Sequence, residues 1–244
     1  MPGTIVFIPA LNEEANLPAV LAELHAELPD VDVLVVDDGS TDGTAAVARA
    51  EGAEVLSFGE NRGLREGIAA GYRYAHEHAY DFAGRVDADG QHPVQELRRL
   101  LELVQAGEYD VAIGSRFAAG DGYGYEAYRY EPSSSRRFGT AVLRRAMRVA
   151  LGRPFHDATS GMYAVNAKAL PILAEPYESG APEVESLLRL REAGLRVAEL
   201  PVNMRERASG ESKLRGRRAF ELVFTVAGTL LLYGLWRRRR GASQ

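Results

Sequence analysis

Short apolar runs alternate with amphipathic stretches along the first half of the chain. The runs at 4–10 and 31–37 are rich in β-branched residues and bounded by Pro, Asn, Asp and Gly, which predicts buried strands. Between them, the apolar positions of residues 13–28 recur with the 3.6-residue period of a helix. The alternation continues with a helix at 42–51, a strand at 53–57, a helix at 64–78, a strand at 81–86, a helix at 94–106 and a strand at 109–114. This order predicts an α/β fold with a mostly parallel central sheet and helices on both faces.

The pattern is less regular after residue 117. Residues 118–134 are rich in Gly and Tyr, which predicts a loop, and residues 135–151 predict a basic amphipathic helix. After a polar turn at 155–161, we expect a strand near 162–165, helices near 167–174 and 182–193, and a strand at 196–200. We therefore divide the chain into a main domain at 1–215 and a basic, apolar helical tail at 216–244.

The tail differs from the rest of the chain in charge. The whole chain carries a net charge of −5, which argues against nucleic acid as a partner, but residues 205–240 hold ten Arg and Lys against three Glu. The uncharged segment at 222–236 has 15 residues, and about 20 are needed to span a bilayer. We expect a helix that lies in the membrane interface, with arginines meeting anionic headgroups. Packing in the core or at the interface of a homo-oligomer stays open.

Composition excludes several kinds of site. With 46% hydrophobic and 26% charged residues, the chain has the composition of a globular protein. It contains no cysteine, which excludes disulfides, thiolate zinc sites and cysteine nucleophiles. The N-terminus runs into an apolar strand without the basic segment of a signal peptide, so we expect a cytoplasmic protein body.

Two carboxylates directly follow the predicted strand at 81–86. Residues two apart on an extended segment point to the same side, so Asp87, Asp89 and Gln91 can converge on one point. Their like charges repel, and oxygen donors of this kind suit Mg²⁺ or Mn²⁺. An isolated Asp-x-Asp is more often a solvated turn. Here the position at the carboxyl end of a buried strand, where α/β sheets bind ligands, favours a metal site.

Polar residues also follow the first two predicted strands, in PALNEE and DDGSTD. Such residues are good helix caps and turn formers, which accounts for part of each motif. Asp37 and Asp38, however, come directly after a strand, and their carboxylates can accept hydrogen bonds from a ribose hydroxyl or a base N–H. Pro9 and Glu13 can line a base pocket beside them.

Seven short motifs together resemble glycosyltransferase family 2. In order they are PALNEEANL, VVDDGSTDGT, NRGLREGIAAG, DADGQHP, IGSR, DATSG and RASGESKL, and they cover roughly residues 4–215. Within the family, the likeness is to the dolichyl-phosphate mannose synthase-like branch of polyprenyl-phosphate sugar synthases. The resemblance implies a GT-A-type nucleotide-diphospho-sugar transferase fold. It also implies a metal-dependent, inverting transfer of a hexose from a donor such as GDP-mannose or UDP-glucose to a polyprenyl phosphate at the cytoplasmic membrane face.

The resemblance also implies roles for individual residues. It assigns nucleotide-sugar binding to Pro9, Leu11, Glu13, Val36, Asp38, Asp87 and Ala88. It assigns the Mg²⁺ or Mn²⁺ ion to Asp87, Asp89 and Gln91. It assigns catalytic roles to Asp89, Arg116, Arg136, Arg207 and Lys213, with Arg137 as an alternative to Arg136. Leu11 stands where the family often has an aromatic residue, which puts base stacking at that position in doubt.

The nature of the acceptor stays open at the level of sequence. A phosphate acceptor is already anionic and needs cations, which the region after residue 115 supplies. A saccharide or other hydroxyl acceptor needs a general base, for which Asp157, Glu183 and Glu185 are candidates. The segment ALNEE after the first strand lacks the GxGxxG of a dinucleotide oxidoreductase and the Gly-rich basic loop of a sugar-nucleotide pyrophosphorylase. A nucleotide-sugar-binding protein without turnover is the non-enzymatic alternative.

Overall fold

Strands and helices alternate along the described part of the computed structural model, which covers residues 3–116, 148, 155–157, 160–205 and 228. The strands in this part are β1 Thr4–Ala10, β2 Asp32–Asp37, β3 Glu54–Ser57, β4 Phe82–Arg85, β5 Val111–Ser115, β6 Tyr163–Asn166 and β7 Val197–Pro201. The helices are α1 Leu17–Glu27, α2 Thr44–Ala50, α3 Leu64–Glu77, α4 Val94–Gln105, α5 Leu170–Leu173 and α6 Pro182–Glu192. Each helix and strand predicted for these residues is present, with ends that differ by at most four residues.

The strands form one sheet in the order β3-β2-β1-β4-β6-β5-β7. All pairings are parallel except those of β6, which runs antiparallel to both β4 and β5. The prediction of a mostly parallel sheet is therefore confirmed. Strand β1 pairs with β2 on one side and with β4 on the other, so the loops that follow β1 and β4 leave in opposite directions. Such a switch point opens a crevice at the carboxyl ends of the strands.

Helices cover both faces of the sheet, as the near-continuous apolar strands predict. On one face, Phe7 and Leu34 pack with residues of α3, α5 and α6. On the other face, Val6, Ile8 and Val35 pack with residues of α1, α2 and α4. Alternate residues of one strand thus belong to different halves of the core.

Several predictions fall outside the described residues. They are the loop at 118–134, most of the basic helix at 135–151 and most of the tail at 216–244; positions 148 and 228 are helical. Arg136, Arg137, Arg207 and Lys213 also lie outside this part of the chain. The division at residue 215 and the interfacial tail stay predictions. Among the helices that the structure describes, none has the length and apolar character needed to cross a membrane.

Helix α3 lies unusually close to β1 at one glycine. A Cβ atom on Gly71 would lie 2.2 Å from the ring of Phe7. That ring also packs edge-on against Tyr72, with 4.7 Å between ring centroids. Since the interior is close-packed and the ring is held from two sides, even one methyl group at Gly71 would push the helix away from the sheet.

We predict that Gly71→Ala lowers the free energy of unfolding by about 1 kcal/mol, because crowding that costs about 2 kcal/mol exceeds the gain of about 1 kcal/mol in helix propensity. Gly67→Ala in the same helix is the matched control, since its Cβ would lie at an ordinary 3.6 Å from Pro9. The control should be neutral or stabilising in urea unfolding. Equal losses in both variants would contradict the packing argument.

Asp110 joins the three strands at the far edge of the sheet. Its carboxylate accepts hydrogen bonds from the Asn166 side chain at 2.9 Å and from the main-chain and Nε groups of Arg196 at 2.9 and 3.1 Å. Asp110 precedes β5, Asn166 ends β6 and Arg196 precedes β7. The hydrogen bonds from Arg196 hold the pKa of the Asp110 carboxyl well below its usual range.

Asp110→Asn should therefore destabilise the protein by about 2 kcal/mol at neutral pH, through the loss of charge-assisted hydrogen bonds. A carboxyl whose pKa is lowered in the folded state stabilises the folded protein at pH values above its unfolded-state pKa. This stabilisation is lost as the pH falls toward the folded-state pKa. The difference between wild type and variant should thus shrink once the pH falls below about 3.9. Urea unfolding of both proteins as a function of pH measures this difference in stability. Exposed Glu77→Gln, as control, should change stability by less than about 0.5 kcal/mol at neutral pH.

Candidate active site

The turn after β4 carries the predicted metal ligands at the crevice. The Asp87 side chain is 40% exposed, whereas Ala88 and Asp89 are buried. Gly90 adopts a φ of +73°, a conformation that favours glycine, and the main-chain N–H of Gln91 donates to Asp89 Oδ1 at 3.1 Å. The Asp87 carboxylate is therefore open to the crevice, whereas the Asp89 carboxylate accepts a hydrogen bond from the backbone of the turn.

The side chain of His92 contacts the backbone at the start of this turn. The main-chain N–H of Asp87 donates to His92 Nδ1 at 3.0 Å, so Nδ1 is an acceptor and the ring proton resides on Nε2. His92 Nε2 lies 3.9 Å from Asp87 Oδ2. Burial lowers the pKa of His92 below its ordinary value, which keeps the ring neutral. The imidazole thus fixes the backbone of the first aspartate of the motif.

Arg85, the last residue of β4, lies fully buried beneath the crevice. Its Nη2 atom is 2.8 Å from Glu183 Oε1 and 3.8 Å from Asp87 Oδ1. The guanidinium lies over the ring of Tyr163, 5.7 Å from its centroid. Glu183 was a candidate general base in the sequence, and the structure instead pairs it with a buried cation.

Gly161 makes room for the Asp87 carboxylate. A Cβ atom on Gly161 would lie 2.4 Å from Asp87 Oδ2. This is the glycine of the DATSG motif, which thereby approaches the turn after β4 from β6. A larger residue at Gly161 would displace the Asp87 carboxylate. The DADGQHP motif therefore requires a glycine at this position of the DATSG motif.

Arg116 follows β5 and is anchored by Asp157. The Arg116 main-chain N–H and Nε donate to Asp157 Oδ2 at 3.1 and 2.8 Å, and Nη2 donates to Oδ1 at 2.9 Å. Burial opposes the charged guanidinium, but the hydrogen bonds with Asp157 outweigh it and raise the pKa of Arg116. The Arg116 side chain remains 37% exposed, so a fixed positive charge faces the crevice.

Asp157 is positioned in turn by Glu199 of β7. The Glu199 carboxylate accepts the main-chain N–H groups of His156 at 2.8 Å and Asp157 at 2.6 Å. The Asp157 side chain is only 1% exposed. Glu199 of β7 therefore positions Asp157 of the DATSG motif, and Asp157 in turn holds Arg116. Asp157, another candidate general base, is thus engaged in an ion pair.

The donor set fits a divalent cation that shares its coordination with substrate. In the described residues, no group of three or more His, Asp or Glu is placed to hold a metal alone. Two carboxylates and an amide suit Mg²⁺ or Mn²⁺ when phosphate oxygens complete the shell. The neighbouring charged groups of the site are Asp87, Asp89, Asp157 and Glu183 against Arg85 and Arg116. With His92 neutral, these six groups carry about −2, which a divalent cation would balance.

The loops after β1 and β2 form the other side of the crevice. Strand register places Pro9 opposite Val36. The Asp38 carboxylate, 5% exposed, accepts the main-chain N–H groups of Arg62 at 2.6 Å and Gly63 at 2.9 Å. Asp38 therefore ties the end of β2 to the loop that precedes α3.

The remaining predicted nucleotide residues differ in exposure. Leu11 and Glu13 are half-buried, and the Glu13 main-chain N–H donates to Thr44 Oγ1 at 2.8 Å. Val36 has a fully buried side chain in the core, so any ligand contact through it would come from its main chain. Asn12 Oδ1 accepts the Thr41 N–H at 2.8 Å, which joins the two loops.

The chain returns to the turn after β4 at residue 205, where the described segment 160–205 ends. The main-chain N–H of Arg205 donates to the Gln91 carbonyl at 2.9 Å, and Gln91 Nε2 donates back to the Arg205 carbonyl at 3.4 Å. The Arg205 guanidinium pairs with Glu23 of α1 at 2.5 Å. Glu23 also accepts the N–H of Val94 at the start of α4. The segment that leads toward Arg207 and Lys213 therefore starts beside Gln91.

The structure thus brings most described site residues to one crevice. Asp87, Asp89, Gln91 and Arg116 come together from the ends of two strands that β6 separates. Sequence reasoning assigned no role to three residues that shape the site: Arg85, His92 and Glu199. His92 lies within a recognised motif and could have been found there. Arg85 and Glu199 lie in strands, and only tertiary contacts reveal what they do.

Comparisons with known proteins identify the family of the chain. Residues 5–171 match the family described as glycosyl transferase family 2. Polyprenol monophosphomannose synthase of Mycolicibacterium smegmatis is 33% identical over 233 residues, which cover 92% of this chain and 85% of that protein. Undecaprenyl-phosphate mannosyltransferase of Micrococcus luteus is 34% identical over 230 residues, which cover 91% of each.

Solved structures show the same fold. Glucosyl-3-phosphoglycerate synthase from Mycobacterium tuberculosis, in complex with Mn²⁺, UDP-glucose and phosphoglyceric acid, superposes with a TM-score of 0.66 at 23% identity. The match covers 95% of this chain and 79% of that one. The predicted GT-A-type fold is confirmed. The family match spans well over half of the chain and two relatives are at least 33% identical to it; the chain is therefore a glycosyltransferase and belongs to glycosyl transferase family 2.

Proposed function

We propose that this glycosyltransferase moves a hexose from a nucleotide-diphosphate sugar to a polyprenyl phosphate, with inversion at the anomeric carbon. The two relatives above are named for mannosyl transfer, one for a polyprenol and one for undecaprenyl phosphate. Their names favour a mannosyl donor such as GDP-mannose over a UDP-glucose type. A saccharide or small-molecule hydroxyl as acceptor is the alternative.

One observation supports a phosphate acceptor: each carboxylate considered as a general base is held by other groups. Glu183 pairs with Arg85 and Asp157 with Arg116. Glu185 accepts the Ser179 N–H at 2.7 Å and pairs with Arg189. Burial raises the pKa of Glu185, yet the hydrogen bonds from Ser179 outweigh it and lower that pKa, which makes the carboxylate a weak base. A phosphate monoester needs no base.

The described residues have separate roles in this proposal. Asp89, Gln91 and Asp87 would hold Mg²⁺ or Mn²⁺, which when bound supplies Lewis-acid stabilisation of the leaving diphosphate. Pro9, Leu11, Glu13, Val36, Asp38, Asp87 and Ala88 line the nucleotide-sugar side. Arg116, fixed by Asp157, places a positive charge where the diphosphate or the acceptor phosphate carries negative charge. His92 holds the backbone of Asp87 in place.

Residues outside the described part complete the proposal. Arg136, Arg207 and Lys213 would contact phosphate groups, and the segment after Arg205 starts beside Gln91. The tail at 216–244 would hold the enzyme at the cytoplasmic membrane face, as a peripheral or monotopic protein, because its apolar segment is followed by four arginines. A lipid-linked acceptor would then be presented at the surface where the catalytic domain at 1–215 sits.

The first test follows labelled sugar from GDP-mannose, UDP-glucose and dTDP-glucose into undecaprenyl phosphate with Mn²⁺ or Mg²⁺. We expect lipid-phase label from GDP-mannose only with metal, and a loss of about 100-fold or more in Asp89→Ala, because charge on the leaving diphosphate is no longer balanced. Asp81→Ala is the matched control, since this exposed residue precedes β4 at the opposite edge of the sheet. Label on a saccharide hydroxyl instead would favour the alternative, and donor binding without turnover would exclude both.

A second variant separates the two acceptors. Glu185→Gln keeps an oxygen that accepts the Ser179 N–H but removes the charge, and we expect kcat within about threefold of wild type, as for a site without a general base. If Glu185 deprotonates a hydroxyl, the loss should be about 10²- to 10⁴-fold. The pH dependence of kcat in wild type and variant distinguishes the cases, because loss of a base removes the acidic limb.

A further inference from the structure

The buried guanidinium of Arg85 lies between two carboxylates at unequal distances. Glu183 is within hydrogen-bond distance at 2.8 Å, whereas Asp87 lies at 3.8 Å, beyond it. In the described part of the chain, the Arg85 Nε atom makes no hydrogen bond. The cation is thus held by one carboxylate and only approached by the other.

Arg85 is enclosed in the protein interior. Its side chain is 2% exposed, and its guanidinium lies over the ring of Tyr163. A buried guanidinium is costly unless a carboxylate pairs with it. Among the described residues, Glu183 and Asp87 are the carboxylates at ion-pair distance from Arg85. If Glu183 loses its charge, Asp87 is therefore the partner that remains.

Asp87 is well placed to become that partner. It lies two residues after Arg85, so the two side chains leave the strand end on the same side. The planar guanidinium can bind a carboxylate through two parallel hydrogen bonds. A shift of about 1 Å would turn the 3.8 Å approach into such a pair. Both Asp87 oxygens would then be turned toward Arg85 and away from the crevice.

We propose that Glu183 is a positioning residue: by holding Arg85, it keeps the Asp87 carboxylate available to the metal and the nucleotide sugar. This inference rests on the proposed function, which assigns Asp87 to those ligands. Glu183 does not touch substrate in this scheme and acts through Arg85 alone. Glu183 lies in the first turn of α6, so a residue of the second half of the chain acts on the Asp87 carboxylate.

The test measures Mn²⁺ binding in the presence of GDP by the electron paramagnetic resonance signal of free Mn²⁺, without turnover. We expect Glu183→Gln to weaken Mn²⁺ binding by about 10- to 100-fold, as for other residues that orient metal ligands. In the double variant Arg85→Met/Glu183→Met, which removes both charges and conserves volume, binding should return to within about threefold of wild type.

The control is Glu185→Gln, two residues along the same helix. Its carboxylate binds Ser179 and Arg189 rather than Arg85, so Mn²⁺ binding should not change. Thermal unfolding of each variant reports folding separately. If Glu183→Gln does not fold, Glu183→Asp, whose carboxylate reaches less far toward Arg85, should give an intermediate loss of affinity.

The outcomes distinguish this inference from the proposed function. Glu183→Gln with a lowered Tm and wild-type Mn²⁺ affinity would overturn the inference and leave the metal site intact. A double variant that binds Mn²⁺ as weakly as Glu183→Gln would also overturn it, because Glu183 would then not act through Arg85. Wild-type protein that binds no Mn²⁺ with GDP would overturn the proposed metal site, and the inference with it.

Discussion

The repulsion between Asp87 and Asp89 is the constraint around which the site is arranged. Two carboxylates at the end of a buried strand are stable only where cations and fixed dipoles surround them. Arg85 lies beneath the turn, and Arg116 lies beside it on its Asp157 anchor. The neutral ring of His92 fixes the backbone between them. These groups leave a residual negative charge, and a divalent cation that arrives with a diphosphate would balance it.

Most supports of the site come from distant parts of the chain. Glu183 of α6, Glu199 of β7 and Gly161 before β6 each act on a residue that comes earlier in the chain. The antiparallel strand β6 lies between β4 and β5, so it brings the DATSG motif directly to the turn that holds Asp87. The second half of the chain thereby determines how the carboxylates and Arg116 are oriented.

Much of the fold and part of the site could be predicted because their signals are local. The alternation of apolar runs and helical periods identified the described strands and helices, since strand and helix periods depend on neighbouring residues. Asp87, Asp89 and Gln91 could be singled out as candidate metal ligands because polar groups follow a buried strand. The direction of β6 was not predictable, because a short apolar run has the same pattern in either direction. Asp157 and Glu183 were interpreted as candidate bases, since a sequence shows a carboxylate but not its ion pair.

The sequence by itself determined the family, the sheet covered by helices on both faces, and the types of residue that follow its strands. Each of these depends on the order of residues along the chain. Only the tertiary structure decided which charges pair: Arg85 with Glu183, and Arg116 with Asp157. The physical reason is that the strength of an ion pair depends on distance, burial and competing partners. These quantities exist only once residues about a hundred positions apart, such as Arg85 and Glu183, lie side by side.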